Sequence, residues 1–396
     1  DEAGVRFDPY LKTDWNPELF RGHNMFSHLG VYRRSLVVKA GGFREGYEGS
    51  QDYDLALRCS ELLTRSQIQH IPKVLYHWRA IAGSTAFGPQ EKNYAHLAAR
   101  KAISSHLQRV GIEADVLPIK HRAGNWRIRR LLPKSQPRVS IIVPTRNKGD
   151  VLRCCIDSIL NRSTYQNYEI LVVDNRSDEP STLSYLETLH ERENLRVSSF
   201  DEPFNYSRLN NSAVAQTTSD IVVFLNNDTE VITSAWLEEM VSLALPDGSG
   251  AVGAMLYYPD DRIQHAGIVL GLGAERVAGH AYHSMPRGFP GDKCRAQLVQ
   301  EVSAVTGACM AIRRDRFNAV NGFDEALGLA FNDVDLCLRL GAEGLHNLWT
   351  PNAELYHHES LTRGADTDPE RHHAYLEACT HMRERWGRRL LEDPYY

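Results

Sequence analysis

From position 139 onward, apolar runs and helical stretches alternate along the chain. VSIIVP (139–144) is an unbroken β-branched and aliphatic run, the pattern of a strand buried on both faces. A helix is predicted over 150–160, a second strand at YEILVVDN (168–175), a helix over 181–191 and a strand at LRVSSF (195–200). A helix over 206–216, a fourth strand at DIVVFLNND (220–228) and a helix over 234–245 follow. This alternation predicts an α/β fold with a mostly parallel sheet and helices on both faces. Ligands of such sheets sit at the carboxyl ends of the strands. Here those ends are polar: Pro144-Thr145-Arg146-Asn147, Asp174-Asn175 and Asn226-Asn227-Asp228.

The pattern is less regular further on. Strands are predicted at 251–258, 267–273 and 304–312, a helix with a glycine stop in FNDVDLCLRLGAEG (331–344), and a strand at NAELYHHES (352–360) that ends in two histidines. A charged amphipathic helix is predicted over 369–391. An internal repeat sets the domain layout. YRRSLVVKAGGF (32–43) matches IRRDRFNAVNGF (312–323) at an offset of 280 residues, and VLYH (74–77) matches ELYH (354–357) at the same offset. EGSQDYDLALR (48–58) matches LAFNDVDLCLR (329–339) at 281. Residues 1–85 are therefore expected to duplicate the rear half of a complete domain at 138–362, with a helical and basic linker at 86–137 and a helical tail at 363–396. The front half of the first copy would precede Asp1.

Composition narrows the class. The 396 residues are 42% hydrophobic and 24% charged, an ordinary globular balance. The net charge of −5 excludes a globally basic nucleic-acid binder. No apolar run reaches the ~20 residues of a membrane-spanning helix, and the opening DEAGVRFDPY does not read as a signal peptide. Seven scattered cysteines without a C-x-x-C pair fit a reducing compartment, so a cytoplasmic location is expected. The basic stretch KHRAGNWRIRRLLPK (120–134) reads as a solvated linker or as a surface touching anionic lipid at the inner face of a membrane through Arg127, Arg129 and Arg130, with Trp126 as anchor. GLGAERVAG (271–279) lacks the spacing of a dinucleotide fingerprint, so NAD is not expected.

VSIIVPTRN, EILVVDNRS, FLNNDTEV, TGACMAIRR and FNDVDLCLR, in this order, resemble the motifs of inverting family 2 glycosyltransferases of the GT-A fold, a Rossmann-like nucleotide-diphospho-sugar transferase architecture. The likeness covers nearly all of 138–362. FDPYLKTDWNP (7–17), EGSQDYDLALR and HIPKVLYHWRAIAGSTA (70–86) resemble the rear half of a second such domain, the tandem arrangement of surface-polysaccharide and rhamnan-type enzymes. The resemblance implies a nucleotide-diphospho-sugar donor, a glycan or lipid-linked glycan acceptor, and Mn2+ or Mg2+ on the leaving diphosphate.

It also assigns roles. Asp333 would be the base that takes the acceptor proton, near a helix N-terminus that favours its ionised form; a capping role is the alternative, and Asp335 would be structural. Asp228 and His357 would hold the metal, although the family's usual Asp-x-Asp is here Asn226-Asn227-Asp228, and a strand-end histidine can also be a plain donor. Pro144, Thr145, Asn147, Asp174, Asn210, Asn211 and Asn227 would line the nucleotide, with Asp174 alternatively a turn or cap residue. Gln264, His265, Thr306, Gly307 and Asn332 are candidates for sugar or acceptor contact, with His280 in a loop that could line the same pocket. Gly307 would let a sugar approach the backbone. Asp52 and His77 are the first-copy counterparts of Asp333 and His357. A nucleotide-sugar nucleotidyltransferase and a glycan-binding or scaffolding module are the rival readings.

Overall fold

The computed structural model describes residues 3–80, 93–359 and 369–396. The expected boundaries at 85/86 and 362/363 lie outside them. The chain divides into two compact units, Asp1–Leu131 with Pro290–Gln300 and Pro394–Tyr396, and Leu132–Phe289 with Glu301–Asp393.

The first unit holds helices α1 (Pro17–Gly22), α2 (Arg34–Lys39), α3 (Gln51–Ser60) and α4 (Asn93–Arg109), then an antiparallel hairpin of β1 (Ala114–Pro118) and β2 (Trp126–Arg130). Asn16 starts α1 by accepting from the Leu19 N–H, with Pro17 in the first turn, where its missing N–H costs nothing. Phe20, Tyr53, Leu57, Ile103, Trp126 and Ile128 share one core.

The linker reading of 86–137 is thereby corrected, since α4 and the hairpin are part of this core. So is the lipid-facing reading of 120–134. Trp126 is 2% exposed and stacks on His96 with ring centroids 4.1 Å apart, so it cannot anchor in a bilayer. Arg130 pairs with Glu18 at 2.6 Å and Arg129 with Asp115 at 2.5 Å. Residues 74–77 form no strand: among the described residues of this unit the only strands are β1 and β2, and Val74 and Leu75 are exposed.

The second unit contains β3 (Val139–Thr145), α5 (Gly149–Arg162), β4 (Tyr168–Asp174), α6 (Pro180–Leu189), β5 (Leu195–Ser199), α7 (Tyr206–Ala215), β6 (Ile221–Leu225), β7 (Thr229–Val231) and α8 (Trp236–Ala244). Then come β8 (Ser249–Tyr257), β9 (Ile263–His265), β10 (Ile268–Leu270), β11 (Ala278–His280) and β12 (Gln300–Glu301). The chain continues through β13 (Cys309–Arg313), α9 (Arg314–Ala319), α10 (Asn332–Ala342), β14 (His346–His357) and α11 (Pro369–Trp386). The main sheet runs β14-β8-β13-β6-β3-β4-β5. The β3/β4, β4/β5, β3/β6 and β8/β14 pairs are parallel, while β13 is antiparallel to both β6 and β8. This is the expected mostly parallel α/β sheet. The strand predicted at 304–312 begins only at Cys309, because residues 304–308 bend into the site described below.

The same clamp recurs in the two units. In α3, Arg58 pairs with Asp54 one turn earlier at 2.7 Å and donates to the Ala40 carbonyl. In α10, Arg339 pairs with Asp335 at 2.7 Å and donates to the Val320 carbonyl. In each unit the guanidinium ties a helix to the turn that ends the preceding short helix, at the offsets of 280 and 281 residues seen in the sequence.

Candidate active site

The parallel strands β3 and β6 bring their carboxyl ends together. Beyond β6, Asn227 Nδ2 donates to Thr145 Oγ1 at 3.0 Å, which ties the two ends. Asp228 and His357 are both buried, with His357 Nε2 3.1 Å from Asp228 Oδ1. His357 Nδ1 lies 2.8 Å from Gln264 Oε1, an atom that can only accept, so Nδ1 carries the proton and Nε2 presents its lone pair. Asn226 Nδ2 donates to that nitrogen at 3.2 Å. A carboxylate and an imidazole lone pair facing each other repel unless a cation or proton sits with them. A ring fixed through its far N–H is also how metal-bound histidines are held. The pair therefore fits a divalent cation. Among the described residues no group of three or more His, Cys, Asp or Glu could hold a metal, so the remaining ligands would be water or phosphate oxygens, as is usual for magnesium-type sites.

Asp333 lies in the first turn of α10, which starts from Phe331 at φ 58°. Its Oδ2 accepts from the Gly307 N–H at 2.8 Å and its Oδ1 from the Val334 N–H at 2.8 Å. The next carbonyl, that of Ala308, accepts from the Asn226 N–H at 3.0 Å. The Gly307-Ala308 turn thus connects the carboxylate of Asp333 directly to the loop bearing Asp228, and both lie on the same edge of the sheet. Asp335 is fully buried away from that edge, bonded to Arg339 and to Trp386 Nε1 at 3.0 Å.

Several of the candidate residues have partners within the protein. Gly307 packs against Tyr206: a Cβ there would lie 2.9 Å from the Tyr206 hydroxyl oxygen, which donates to Gly307 O at 2.9 Å. Gly307→Ala is expected to lower stability by about 1–3 kcal/mol through overpacking, read as a shift of the urea midpoint at unchanged slope. Gln264 is buried and engages both amide ends, with His357 and with Glu359 at 2.9 Å, so it supports the histidine. Asn211 clamps the backbone of Phe323 with both amide atoms at 2.9 Å, and Asn210 is fully buried with its Nδ2 on Tyr206 O. Asn332 is buried and donates to Leu327 O at 3.2 Å, and His265 is fully buried behind Thr306. Thr306 Oγ1 accepts from the Ala308 N–H at 3.3 Å, shaping the turn beside Asp333.

At the nucleotide end, Pro144 is half-buried and Asp174 accepts from Ser177 Oγ at 2.5 Å and Ser177 N at 3.2 Å, the turn role weighed for it. Asn147, at φ 57°, accepts from the Asp178 and Glu179 N–H groups and so fastens the loop after β3 to the loop after β4. In the first unit Asp52 is exposed and accepts from Asn24 Nδ2 at 3.1 Å, and His77 is exposed. Tyr206 and Glu359 are site neighbours that the sequence motifs did not single out. Their partners stand about a hundred residues away in the chain, at Gly307 and at Tyr258 and Gln264.

Residues 140–320 match the model of Glycosyl transferase family 2. The chain is 47% identical over 402 residues to Uncharacterized protein y4gI of Sinorhizobium fredii, covering 100% of this chain and 43% of that one. It is 38% identical over 374 residues to O-antigen biosynthesis protein RfbC of Myxococcus xanthus, covering 93% of this chain and 28% of that one. A 65-residue stretch, 16% of this chain and 21% of the other, is 40% identical to the N-acetylglucosaminyl-diphospho-decaprenol L-rhamnosyltransferase of Mycobacterium tuberculosis. The chain spans less than half the length of these relatives. Among solved structures, the mannosyltransferase PcManGT of Pyrobaculum calidifontis in complex with GDP-Man and Mn2+ matches with a TM-score of 0.45 and 17% identity over 75% of this chain and 73% of that one. No described helix is long and apolar enough to cross a membrane.

Proposed function

We propose that the second unit transfers a sugar, with inversion, from a nucleotide-diphospho-sugar to a hydroxyl of a glycan or lipid-linked glycan in the building of a surface polysaccharide. The observation that carries this is the continuous link Asp333–Gly307–Ala308–Asn226, which sets a solvent-reachable carboxylate beside the buried Asp228–His357 pair. A single displacement needs one base. The acceptor hydroxyl gives its proton to Asp333 as its oxygen bonds to the anomeric carbon, and the carbon–oxygen bond to the diphosphate breaks with its electron pair on the leaving group. Inversion follows because attack and departure are on opposite faces. A divalent cation, Mn2+ or Mg2+, held by Asp228 and His357, would supply charge compensation to the leaving diphosphate. Thr145, Asn227 and Asp174 line the strand ends where the nucleotide would lie. The first unit, whose Asp52 occupies the repeat position of Asp333, is read as a partial copy without its own parallel nucleotide-facing strands among the described residues.

The test is thermal unfolding with UDP-, GDP- and dTDP-sugars, with and without Mn2+ or Mg2+. One donor class is expected to stabilise the chain only when the cation is present, by about 2.7 kcal/mol at a hundred times Kd. Asp228→Ala is expected to erase that increment. Glycan binding with no nucleotide effect would replace this reading with the binding-module one, and release of inorganic pyrophosphate would favour the nucleotidyltransferase.

A further inference from the structure

A second set of buried polar groups lies next to Asp333 and has no part in the displacement as written above. His265, at the end of β9, is fully buried, and His280, at the end of β11, is half-buried. Their Nδ1 atoms are 2.8 Å apart with the rings edge to face. On the far side of His265, Nε2 accepts from the backbone N–H of Thr306 at 3.5 Å. A backbone N–H can only donate, so the proton of a neutral His265 must be on Nδ1. That proton then points at His280 Nδ1, which must accept, and the proton of His280 is left on Nε2. Each step follows from the one before it. A main-chain donor in the turn that holds Asp333 thereby dictates, through two rings, that His280 offers an N–H rather than a lone pair.

His280 Nε2 makes no hydrogen bond among the described residues. The pair reaches Asp333 through the Thr306-Gly307 turn, whose consecutive N–H groups go to His265 Nε2 and to Asp333 Oδ2. Burial pushes the imidazoles of both His280 and His265 down, and for His265 the neighbouring His280 and His357 push the same way, so the relay is between neutral rings. A half-buried N–H donor with a defined tautomer next to the base suits an oxygen of a sugar.

We propose that His280 is a substrate-binding residue of the transfer site, donating from Nε2 to an oxygen of the sugar positioned beside Asp333, and that His265 is the positioning residue that sets its tautomer. This rests on the sugar-transfer reading above, and two measurements separate the two claims. The first needs no turnover. Two-bond 1H–15N correlation spectra of the whole chain, labelled at histidine and assigned with His280→Phe and His265→Gln, should show His265 protonated at Nδ1 and His280 at Nε2 at neutral pH. A His280 proton on Nδ1, or a charged His280, overturns the relay.

The second is steady-state kinetics with the donor found by thermal unfolding. His280→Phe, checked for an unchanged melting curve, should lose about tenfold to a hundredfold in kcat/KM, the worth of one hydrogen bond to a substrate. His280→Gln, whose amide nitrogen can reach the same place, should recover most of it. A His280→Phe enzyme as active as the wild type overturns the proposal while leaving the sugar-transfer reading intact. A wild-type chain that moves no sugar overturns that reading and the substrate role with it, and the spectra still decide the tautomer relay.

Discussion

Asp333→Asn is expected to cut sugar transfer by about 10²–10⁴-fold, the usual contribution of a positioned base, with donor affinity nearly unchanged and the melting temperature lowered only by the loss of one of its two backbone bonds. The two halves of that statement come from the same geometry. An asparagine amide oxygen can still accept from the Gly307 N–H, as Asp333 Oδ2 does at 2.8 Å, so the turn between Asp333 and the Asn226–Asp228 loop keeps its tie. What the amide cannot do is take a proton. A structural role as a helix cap would give the opposite pattern, with activity near normal and stability lowered if the cap bond weakened. Initial-rate measurements at saturating donor, beside a thermal melt of each protein, separate the two. Retention of more than about a tenth of the wild-type rate would remove Asp333 from the base role, because it would leave less than the smallest normal contribution of such a group.

How far the sequence carries the site depends on how local each partner is. The buried strands β3, β4 and β6 read directly, because two-sided burial leaves a run that is apolar except for Ser140 and Glu169, and their polar ends mark the ligand edge without any tertiary knowledge. The hairpin strand WRIRR is equally local, yet its composition points the wrong way. Its alternation puts Trp126 and Ile128 inward, yet the density of arginines suggests a solvated or lipid-facing stretch, and only the ion pairs of Arg129 with Asp115 and Arg130 with Glu18 show where that charge goes. Asn211 and Gly307 lie beyond local reading altogether. One is defined by the backbone of Phe323, the other by the hydroxyl of Tyr206, and no pattern of neighbouring residues announces contacts across a hundred positions. The antiparallel insertion of β13 between β6 and β8 is of the same kind, since a short apolar run carries no sign of its direction.

Asp335→Leu is expected to destabilise the second unit by about 3–5 kcal/mol, the cost of removing one member of a buried ion pair, or roughly 6–20 °C in Tm for a domain of this size. The carboxylate is fully buried and receives Arg339 Nε at 2.7 Å, Trp386 Nε1 at 3.0 Å and Arg385 Nη1 at 3.3 Å, so a leucine would strand a guanidinium and an indole N–H together. Arg339 in turn holds the Val320 carbonyl and so fixes the turn after α9. The same Asp–Arg–carbonyl unit is present in the first unit as Asp54, Arg58 and Ala40, with Arg44 also paired to Asp54. In both units its partners are a guanidinium on the same helix and a main-chain carbonyl at the end of the preceding short helix, which marks it as a device that holds the helix. A double-mutant cycle sharpens the test. If the penalty comes from the orphaned cation, Asp335→Leu with Arg339→Met should be less destabilised than Asp335→Leu alone, because a buried pair replaced on both sides by apolar groups of similar volume costs little. Equal losses in the single and double variants would instead assign the effect to lost packing at the end of α10.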